Sequence, residues 1–199
     1  MAVSLRVLYW NARGLKSKVA PLHLLLKDQK IDVALISETH LGPADKIRFP
    51  GYYLYREDEK SAVGYPYRGL AVLVRRRVVH QPLPSTSPST LYALGIQVHV
   101  AGVDLNIFAA YIPPAAKYDL AELRAILQQS PGPPLLAGDL NCKHPAWNSH
   151  AANPGGNRID SSQTPRPTDT TSPAQKPRRT TRMPGHMCRT CWTLLSTRA

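Results

Sequence analysis

The sequence predicts an α/β domain, on the strength of four strand-like runs and two helical segments. The strand-like runs are short and apolar and end in polar residues: LRVLYWN (5–11), DVALISE (32–38), LAVLVRR (70–76) and PPLLAGDLN (133–141). This pattern is typical of buried strands with polar groups at their ends. The order along the chain is strand, helix, strand, several strands, helix and strand.

The two helical segments have apolar stripes at helical spacing. In VAPLHLLLKDQK (19–30) the stripe consists of Val19, Leu22, Leu25 and Leu26. In DLAELRAILQQ (119–129) it consists of Leu120, Leu123, Ile126 and Leu127. Asp119 and Glu122 open the second helix at the spacing of a capping box.

The middle of the chain is predicted to add further strands. IQVHVAGVDLNIFAAYI (96–112) alternates apolar and polar residues on both sides of Gly102, which indicates a hairpin. The tyrosine-rich stretch GYYLYREDEKSAVGYPYRG (51–69) is predicted to be a strand and a loop.

The composition changes at Ile159. Of the 199 residues, 43% are hydrophobic, enough for one sizeable core, but residues 160–199 hold five prolines, thirteen Ser or Thr, and seven Lys or Arg against two Asp. Such a segment cannot offset its ordering entropy by burial. We therefore expect a globular part within residues 1–159 and a disordered basic tail over 160–199.

The formal net charge of +12 points to an acidic partner, with nucleic acid the first choice and a membrane surface the alternative. The sequence has neither an apolar run long enough for a membrane span nor the pattern of a signal peptide, so we expect an intracellular protein. Three cysteines are too few and too unevenly placed for a disulfide framework.

Polar side chains stand where the predicted strands end: Asn11, Glu38, Tyr111, Asp139 and Asn141. Any one of them has a simple alternative role in a turn or a cap. As a set at one rim of a sheet, their carboxylates and amides are what a hard cation such as Mg²⁺ requires.

Four segments carry a family resemblance: YWNARGL (9–15), ISETHL (36–41), AAYIPP (109–114) and LAGDLNCKHPAWNS (136–149). They resemble the successive motifs of the endonuclease/exonuclease/phosphatase family, and the K-H-P-x-W element resembles the endonuclease domain of jockey-type non-LTR retrotransposons. The resemblance implies a four-layer fold, two packed mixed β-sheets flanked by helices, related to apurinic endonucleases. It also implies nicking of target DNA to prime reverse transcription.

The resemblance assigns a role to each strand-end residue. Glu38 matches the metal carboxylate and Asn11 the amide that helps to hold a Mg²⁺ (or Mn²⁺) site. Tyr111 matches the residue that contacts the scissile phosphate, Asp139 the acid that orients the attacking water, and Asn141 the amide that steadies the pentacoordinate phosphate.

Four residues beside these motifs have less defined roles. Arg13 and His40 are candidates for contacts to the DNA backbone, with a solvated surface role as the alternative. His144 and Trp147 are interpreted as structural.

The implied partners are target DNA and, in the intact parent polyprotein, a reverse transcriptase domain, with no membrane and no small-molecule cofactor. A functional protein would act in the nucleus.

The chain departs from the family after residue 159. Family members continue with a P-D-x-L-D strand and a S-D-H motif whose His positions or activates the nucleophile, and neither occurs here. We therefore expect an incomplete fold that lacks the C-terminal strands. Three hypotheses remain: a Mg²⁺-dependent endonuclease, an inactive nucleic-acid-binding fragment, and the non-functional product of a decayed mobile element.

The genetic code suggests an origin for the tail. When the third base of each codon is read with the first two of the next, Met187-Cys188 forces Val, Cys191-Trp192 forces Leu and Trp192-Thr193 forces Asp. The intervening pairs permit Pro, Asp and Val, so the shifted reading is V-P-D-V-L-D, the missing motif. We expect residues 160–199 to be out of frame, after a single insertion or deletion at about codons 159–161.

Overall fold

A computed structural model of the chain describes residues 4–85, 90–114, 116, 119–143, 154 and 156, together with the backbone of residues 189–194. In this part of the chain two mixed β-sheets pack against each other, and helices cover their outer faces. The α/β sandwich predicted from the sequence is confirmed. None of the helices in the described ranges is long and apolar enough to cross a membrane.

The first sheet contains five strands. Their spatial order is β3 (Tyr52–Lys60), β4 (Pro66–Arg75), β2 (Val33–Ser37), β1 (Leu5–Asn11) and β9 (Arg189–Leu194). β1 and β2 are parallel, and the other pairs are antiparallel. The predicted runs 5–11, 32–38 and 70–76 all form strands here.

The second sheet contains four strands. Their order is β5 (His80–Pro82), β6 (Tyr92–Val100), β7 (Val103–Tyr111) and β8 (Pro134–Asp139). β6 and β7 form the predicted hairpin, which turns through Ala101 (φ 51°) and Gly102 (φ 80°). Two consecutive positive φ angles are those of a type I′ turn, whose twist matches the flanking strands. β7 and β8 are parallel.

The helices lie close to their predicted positions. A 3₁₀ turn at Lys16–Lys18 leads into α1 (Val19–Asp28), which ends before the predicted residue 30 because Lys30 is left-handed, with a φ of 52°. In α2 (Leu120–Gln128) the side chain of Asp119 caps the first turn by accepting a hydrogen bond from the Ala121 N–H at 2.9 Å. The side chain of Glu122 accepts one from the Thr90 hydroxyl at 2.8 Å.

Alternate residues of each strand point to different layers. In the first sheet Val7 and Leu35 face the second sheet, while Trp10 and Ile36 face α1. In the second sheet Ile107 faces the first sheet, and its neighbour Phe108 packs in the cluster that includes Ile126 of α2. The layers are therefore α1, first sheet, second sheet and α2.

Three regions differ from the sequence prediction. The stretch 51–69 forms β3, a short turn and the start of β4, so β4 begins at Pro66 rather than Leu70. The three-residue strand β5 was not predicted.

The third difference is β9, which lies in the segment predicted to be a disordered tail. Its backbone pairs with β1 from Leu5↔Leu194 to Trp10↔Arg189. The outer edge of β1 offers unpaired backbone groups, and residues 189–194 contain no proline to interrupt a ladder. The rest of the predicted tail lies outside the described residues, as do His144 and Trp147.

Replacement of a core residue of β7 tests the packing of α2. Phe108 is fully buried, so we expect Phe108→Ala to lower the free energy of unfolding by about 3–5 kcal/mol, measured by urea denaturation followed through tryptophan fluorescence. Val103→Ala, on the same strand at a residue that is 48% exposed, is the matched control, with an expected change below about 0.5 kcal/mol. Equal losses for the two variants would contradict the assignment of this core.

Candidate active site

Four strands end at one rim of the sandwich. Asn11 is the last residue of β1, and Glu38 follows β2 directly. Tyr111 and Asp139 end β7 and β8 and lie opposite each other in the register of the second sheet. Since β1 and β2 are parallel, and so are β7 and β8, each pair delivers two carboxyl-end residues to the same edge.

Asn11 connects the two sheets at this rim. Its Nδ2 donates to Glu38 Oε1 at 3.0 Å and to Asp139 Oδ2 at 3.3 Å. Its Oδ1 accepts a hydrogen bond from the Arg13 N–H at 3.2 Å, which fixes the orientation of the amide. One amide therefore holds together two carboxylates that are 101 residues apart in sequence and belong to different sheets.

Asn141 closes a tight turn after β8. Its backbone N–H donates to Asp139 Oδ1 at 3.1 Å, while its Nδ2 donates to the carbonyl oxygen of Ile112 at 2.8 Å. The first bond orients the Asp139 carboxylate, and the second ties the turn to the residue after Tyr111. The structure thus places Asn11, Glu38, Tyr111, Asp139 and Asn141 at the same rim.

Left-handed backbone is concentrated here. Five of the seven non-glycine residues with positive φ in the described part of the chain lie at this rim: Arg13, Glu38, His40, Arg68 and Asn141. Such conformations are unfavourable for residues with a Cβ and persist where the surroundings hold them. Hydrogen bonds from Gly14 N to Glu38 O and from His40 N to Arg68 O, both 2.8 Å, do so here.

Tyr111 is buried, with 6% of its surface exposed. Burial raises the pKa of its hydroxyl to about 12, and the negative charges of Glu38 and Asp139 add to the rise, while Arg68 opposes it. The hydroxyl is therefore protonated at neutral pH. A protonated phenol is a hydrogen-bond donor, which is what an anionic ligand at this rim would need.

Arg68, Glu59 and Tyr92 form a polar cluster beside Tyr111 that the sequence analysis did not identify. Arg68 Nη1 donates to Glu59 Oε1 at 3.1 Å and to the Tyr92 hydroxyl at 3.2 Å, so the cluster links β3 and β4 to β6. Tyr92 lies opposite Tyr111 in register. With Tyr111, these side chains line a cavity of about 80 Å³.

Gly69, next to Arg68, is a feature of the sequence that could have indicated this part of the site. It has a φ of 84°, and a Cβ at this position would lie 2.5 Å from the Thr39 hydroxyl oxygen. The glycine lets the start of β4 approach the segment after Glu38.

Arg13 and His40 are exposed at the rim. The loop that carries Arg13 is held by Lys18, whose ammonium group donates to the carbonyl oxygens of Ala12 and Arg13. Both candidates for DNA contact therefore stand beside the strand-end residues, at positions that solvent also reaches.

The donor set suits a hard cation. Glu38 and Asp139 supply carboxylate oxygens, and Mg²⁺ is bound in proteins through one or two carboxylates with water completing its shell. Within the described ranges no three His, Cys, Asp or Glu side chains gather as a larger cluster. The residues present fit an ion with an open, hydrated coordination shell rather than a closed structural metal.

Fold and rim together define a class of protein. The family model described as "Endonuclease/Exonuclease/phosphatase family" matches residues 8–190, and the chain belongs to this family. The chain is 29% identical over 156 residues to the RNA-directed DNA polymerase from mobile element jockey of Drosophila melanogaster, covering 78% of this chain and 17% of that protein. The corresponding protein of Drosophila funebris is 31% identical over 149 residues, covering 75% of this chain and 16% of that protein. The chain thus spans about a sixth of the length of these relatives.

Solved structures show the same fold. The endonuclease domain of TRAS1, a telomere-specific non-LTR retrotransposon, matches with a TM-score of 0.61 and 19% identity over 81% of this chain and 71% of that chain. An AP endonuclease from Archaeoglobus fulgidus matches with a TM-score of 0.52 and 18% identity over 79% of this chain and 68% of that chain. The two-sheet sandwich is therefore shared with the endonuclease domain of a retrotransposon and with an AP endonuclease.

The raised pKa of Tyr111 predicts a loss of stability at high pH. Tyrosine titrates near 10 when unfolded, so the contribution of the protonated form is fully present below about pH 10 and is lost as the pH rises to about 12. Between pH 9 and pH 11 we expect the free energy of unfolding of the unmodified chain to fall by about 1 kcal/mol more than that of Tyr111→Phe. Urea denaturation at each pH measures this difference.

Tyr65→Phe serves as the control because Tyr65 is 72% exposed. We expect its pH dependence to equal that of the unmodified chain. If Tyr111→Phe also matched the unmodified chain, the hydroxyl of Tyr111 would not have the raised pKa described above.

Proposed function

We propose that this chain is a piece of a retrotransposon endonuclease that nicks target DNA by metal-assisted phosphodiester hydrolysis to prime reverse transcription. The observation that carries the proposal is the bridge from Asn11 to Glu38 and Asp139. This bridge brings two carboxylates and an amide together at the rim of an endonuclease/exonuclease/phosphatase fold. The jockey relatives are RNA-directed DNA polymerases, so the expected partners are target DNA and a reverse transcriptase domain in the parent polyprotein.

Glu38, with Asn11 beside it, is proposed to hold Mg²⁺ or Mn²⁺. When bound, the cation neutralises charge on the phosphate oxygens. Tyr111 is protonated and is proposed to donate a hydrogen bond to a non-bridging phosphate oxygen. Arg13 and His40, exposed at the rim, are proposed to contact the flanking DNA backbone.

The hydrolysis is proposed to begin with water attacking phosphorus. Asp139 orients the water, and the His of the S-D-H motif, which residues 160–199 do not supply, would accept its proton as the new P–O bond forms. The bond from phosphorus to the 3′ oxygen breaks, and that oxygen takes up a proton from solvent water to give the 3′ hydroxyl that a polymerase extends. Asn141 is proposed to steady the pentacoordinate phosphate through its side-chain amide, which lies at the rim in the turn after β8.

We further propose that the chain as it stands does not nick DNA. Residues 160–199 contain neither the P-D-x-L-D nor the S-D-H motif, and loss of a general base alone typically costs about 10²–10⁴ in rate. β8 is also an edge strand of the second sheet among the described residues. An unpaired edge exposes backbone groups and favours aggregation.

A nicking assay tests the proposed function. With Mg²⁺ and supercoiled plasmid, we expect no nicking by this chain above that of its Glu38→Ala variant. A chain whose reading frame is restored near codon 160 should nick the plasmid, and Glu38→Ala in that chain should remove the activity by about 10²-fold or more.

The outcomes separate the hypotheses. Nicking by the unmodified chain would contradict the proposed inactivity, and a frame-restored chain that folds but does not nick would contradict the endonuclease assignment. Salt-dependent DNA binding by the unmodified chain without nicking would support the alternative of an inactive nucleic-acid-binding fragment.

The proposed change of frame is tested by the coding DNA. We expect the codons of residues 160–199, shifted by one base, to encode an intact Pro-Asp-Val-Leu-Asp segment. The same shift should encode Pro-Glu-Thr-Pro-Thr-His-Tyr-Pro over the codons of Ala174 to Arg182, since these codons permit it. A shifted reading that lacks these residues would contradict the proposal. Residues 160–199 would then be an in-frame tail of the protein.

A further inference from the structure

Six cationic side chains occupy the end of the first sheet opposite the candidate active site: Arg6, Lys27, Lys30, Arg75, Arg76 and Arg77, here called the basic end. β1 and β2 begin at this end, and α1 and β4 finish there. Backbone hydrogen bonds from Asp32 N to Arg6 O (2.9 Å) and from Arg75 N to Asp32 O (2.8 Å) hold these termini together. Arg6 also donates to the carbonyl oxygen of Gln29 at 2.8 Å.

The basic end has more cations than carboxylates. Among the described residues of α1 and the first-sheet termini, Asp28 and Asp32 are the carboxylates of this end, while Asp104 of the neighbouring second sheet is hydrogen-bonded to His99 at 2.7 Å. Asp32 is buried and already engaged: Arg77 lies 3.0 Å from its Oδ1, and the Arg6 N–H donates to its Oδ2 at 3.1 Å. The Arg77 side chain is nevertheless 66% exposed, so its charge remains available to a ligand.

An exposed aromatic ring lies beside Arg76, on the edge strand β3 of this sheet. Tyr53 is 43% exposed, the Arg76 guanidinium lies 5.0 Å from its ring centroid, and the His80 ring lies 5.4 Å away. Exposed aromatic rings and guanidinium planes on which bases can stack, with cations for the phosphates, are the elements of single-strand recognition. In a duplex the bases are stacked on one another, so their faces are not available to stack on such a ring.

We propose that the basic end binds single-stranded nucleic acid, with a base stacked against Tyr53 and Arg76 and the backbone held by Arg6 and Arg77. The surface uses no residue of the candidate active site. It lies about 16 Å from Asn11, given the rise of a strand from Arg6 along β1. It is therefore a second nucleic-acid contact, separate from the one that presents a phosphodiester to Glu38 and Asp139.

Fluorescence anisotropy with the full chain and a labelled single-stranded DNA of about 20 nucleotides tests the proposal. We expect Tyr53→Ala to weaken binding about fivefold or more, and Tyr53→Phe to retain it, because the phenyl ring still stacks. We expect Arg76→Gln to weaken binding and to reduce the slope of log affinity against log salt by about 0.7.

Arg124→Gln is the matched control, since it removes the same charge from an exposed position of α2. We expect the affinity of Arg124→Gln for single-stranded DNA to equal that of the unmodified chain. The basic tail is present in every variant, so its contribution to binding cancels in the comparison. Thermal unfolding of each variant shows whether it folds, and neither Tyr53 nor Arg76 belongs to the ion pairs of Asp32.

Three results would overturn the proposal: equal losses for Arg76→Gln and Arg124→Gln, unchanged binding by Tyr53→Ala, or binding of a duplex of the same length with the same dependence on Tyr53. Binding of anionic lipid vesicles with that dependence would instead identify a membrane surface as the partner. None of these readouts involves nicking, so failure here is distinguishable from failure of the proposed endonuclease function.

Discussion

The hydrogen bonds from Asn11 to Glu38 and Asp139 are the contact on which the rim depends. Each carboxylate belongs to a different sheet, and like charges brought this close repel one another in a partly buried site. One amide that donates to both offsets part of that repulsion, and a bound cation would offset more. The carboxylates of the rim therefore favour a bound cation. The protonated hydroxyl of Tyr111 beside them can donate a hydrogen bond to an anion.

The packing of the two sheets makes this arrangement rigid. Val7 and Leu35 of the first sheet and Ile107 of the second are almost wholly buried between the sheets. Left-handed residues such as Glu38 and Asn141 are unfavourable alone. They persist because Glu38 follows β2 and Asn141 follows β8, two strands of fixed register, and because hydrogen bonds hold both residues. The core thus stabilises backbone conformations that the rim residues would not adopt in isolation.

The strand ends were predictable because local pattern identifies them. Asn11, Glu38 and Asp139 each follow an apolar run, and parallel pairing then brings them to one edge. The contact between Arg68 and Tyr92 was not predictable in this way, since it crosses between sheets and depends on how they stack. β5 was missed for a different reason: three residues, with proline as the last, carry no periodicity.

The strand β9 shows how a segment of unusual composition can still join a sheet. Its pairing with β1 uses backbone N–H and C=O groups, which every residue except proline supplies in full. Residues 189–194 lack proline, whereas residues 160–188 contain five. Pairing of this kind requires no side chains selected to pack, so a strand at this edge is compatible with a tail read out of frame. The proposed V-P-D-V-L-D reading differs in overlapping codons by supplying apolar Val and Leu side chains, which can be buried on a sheet face.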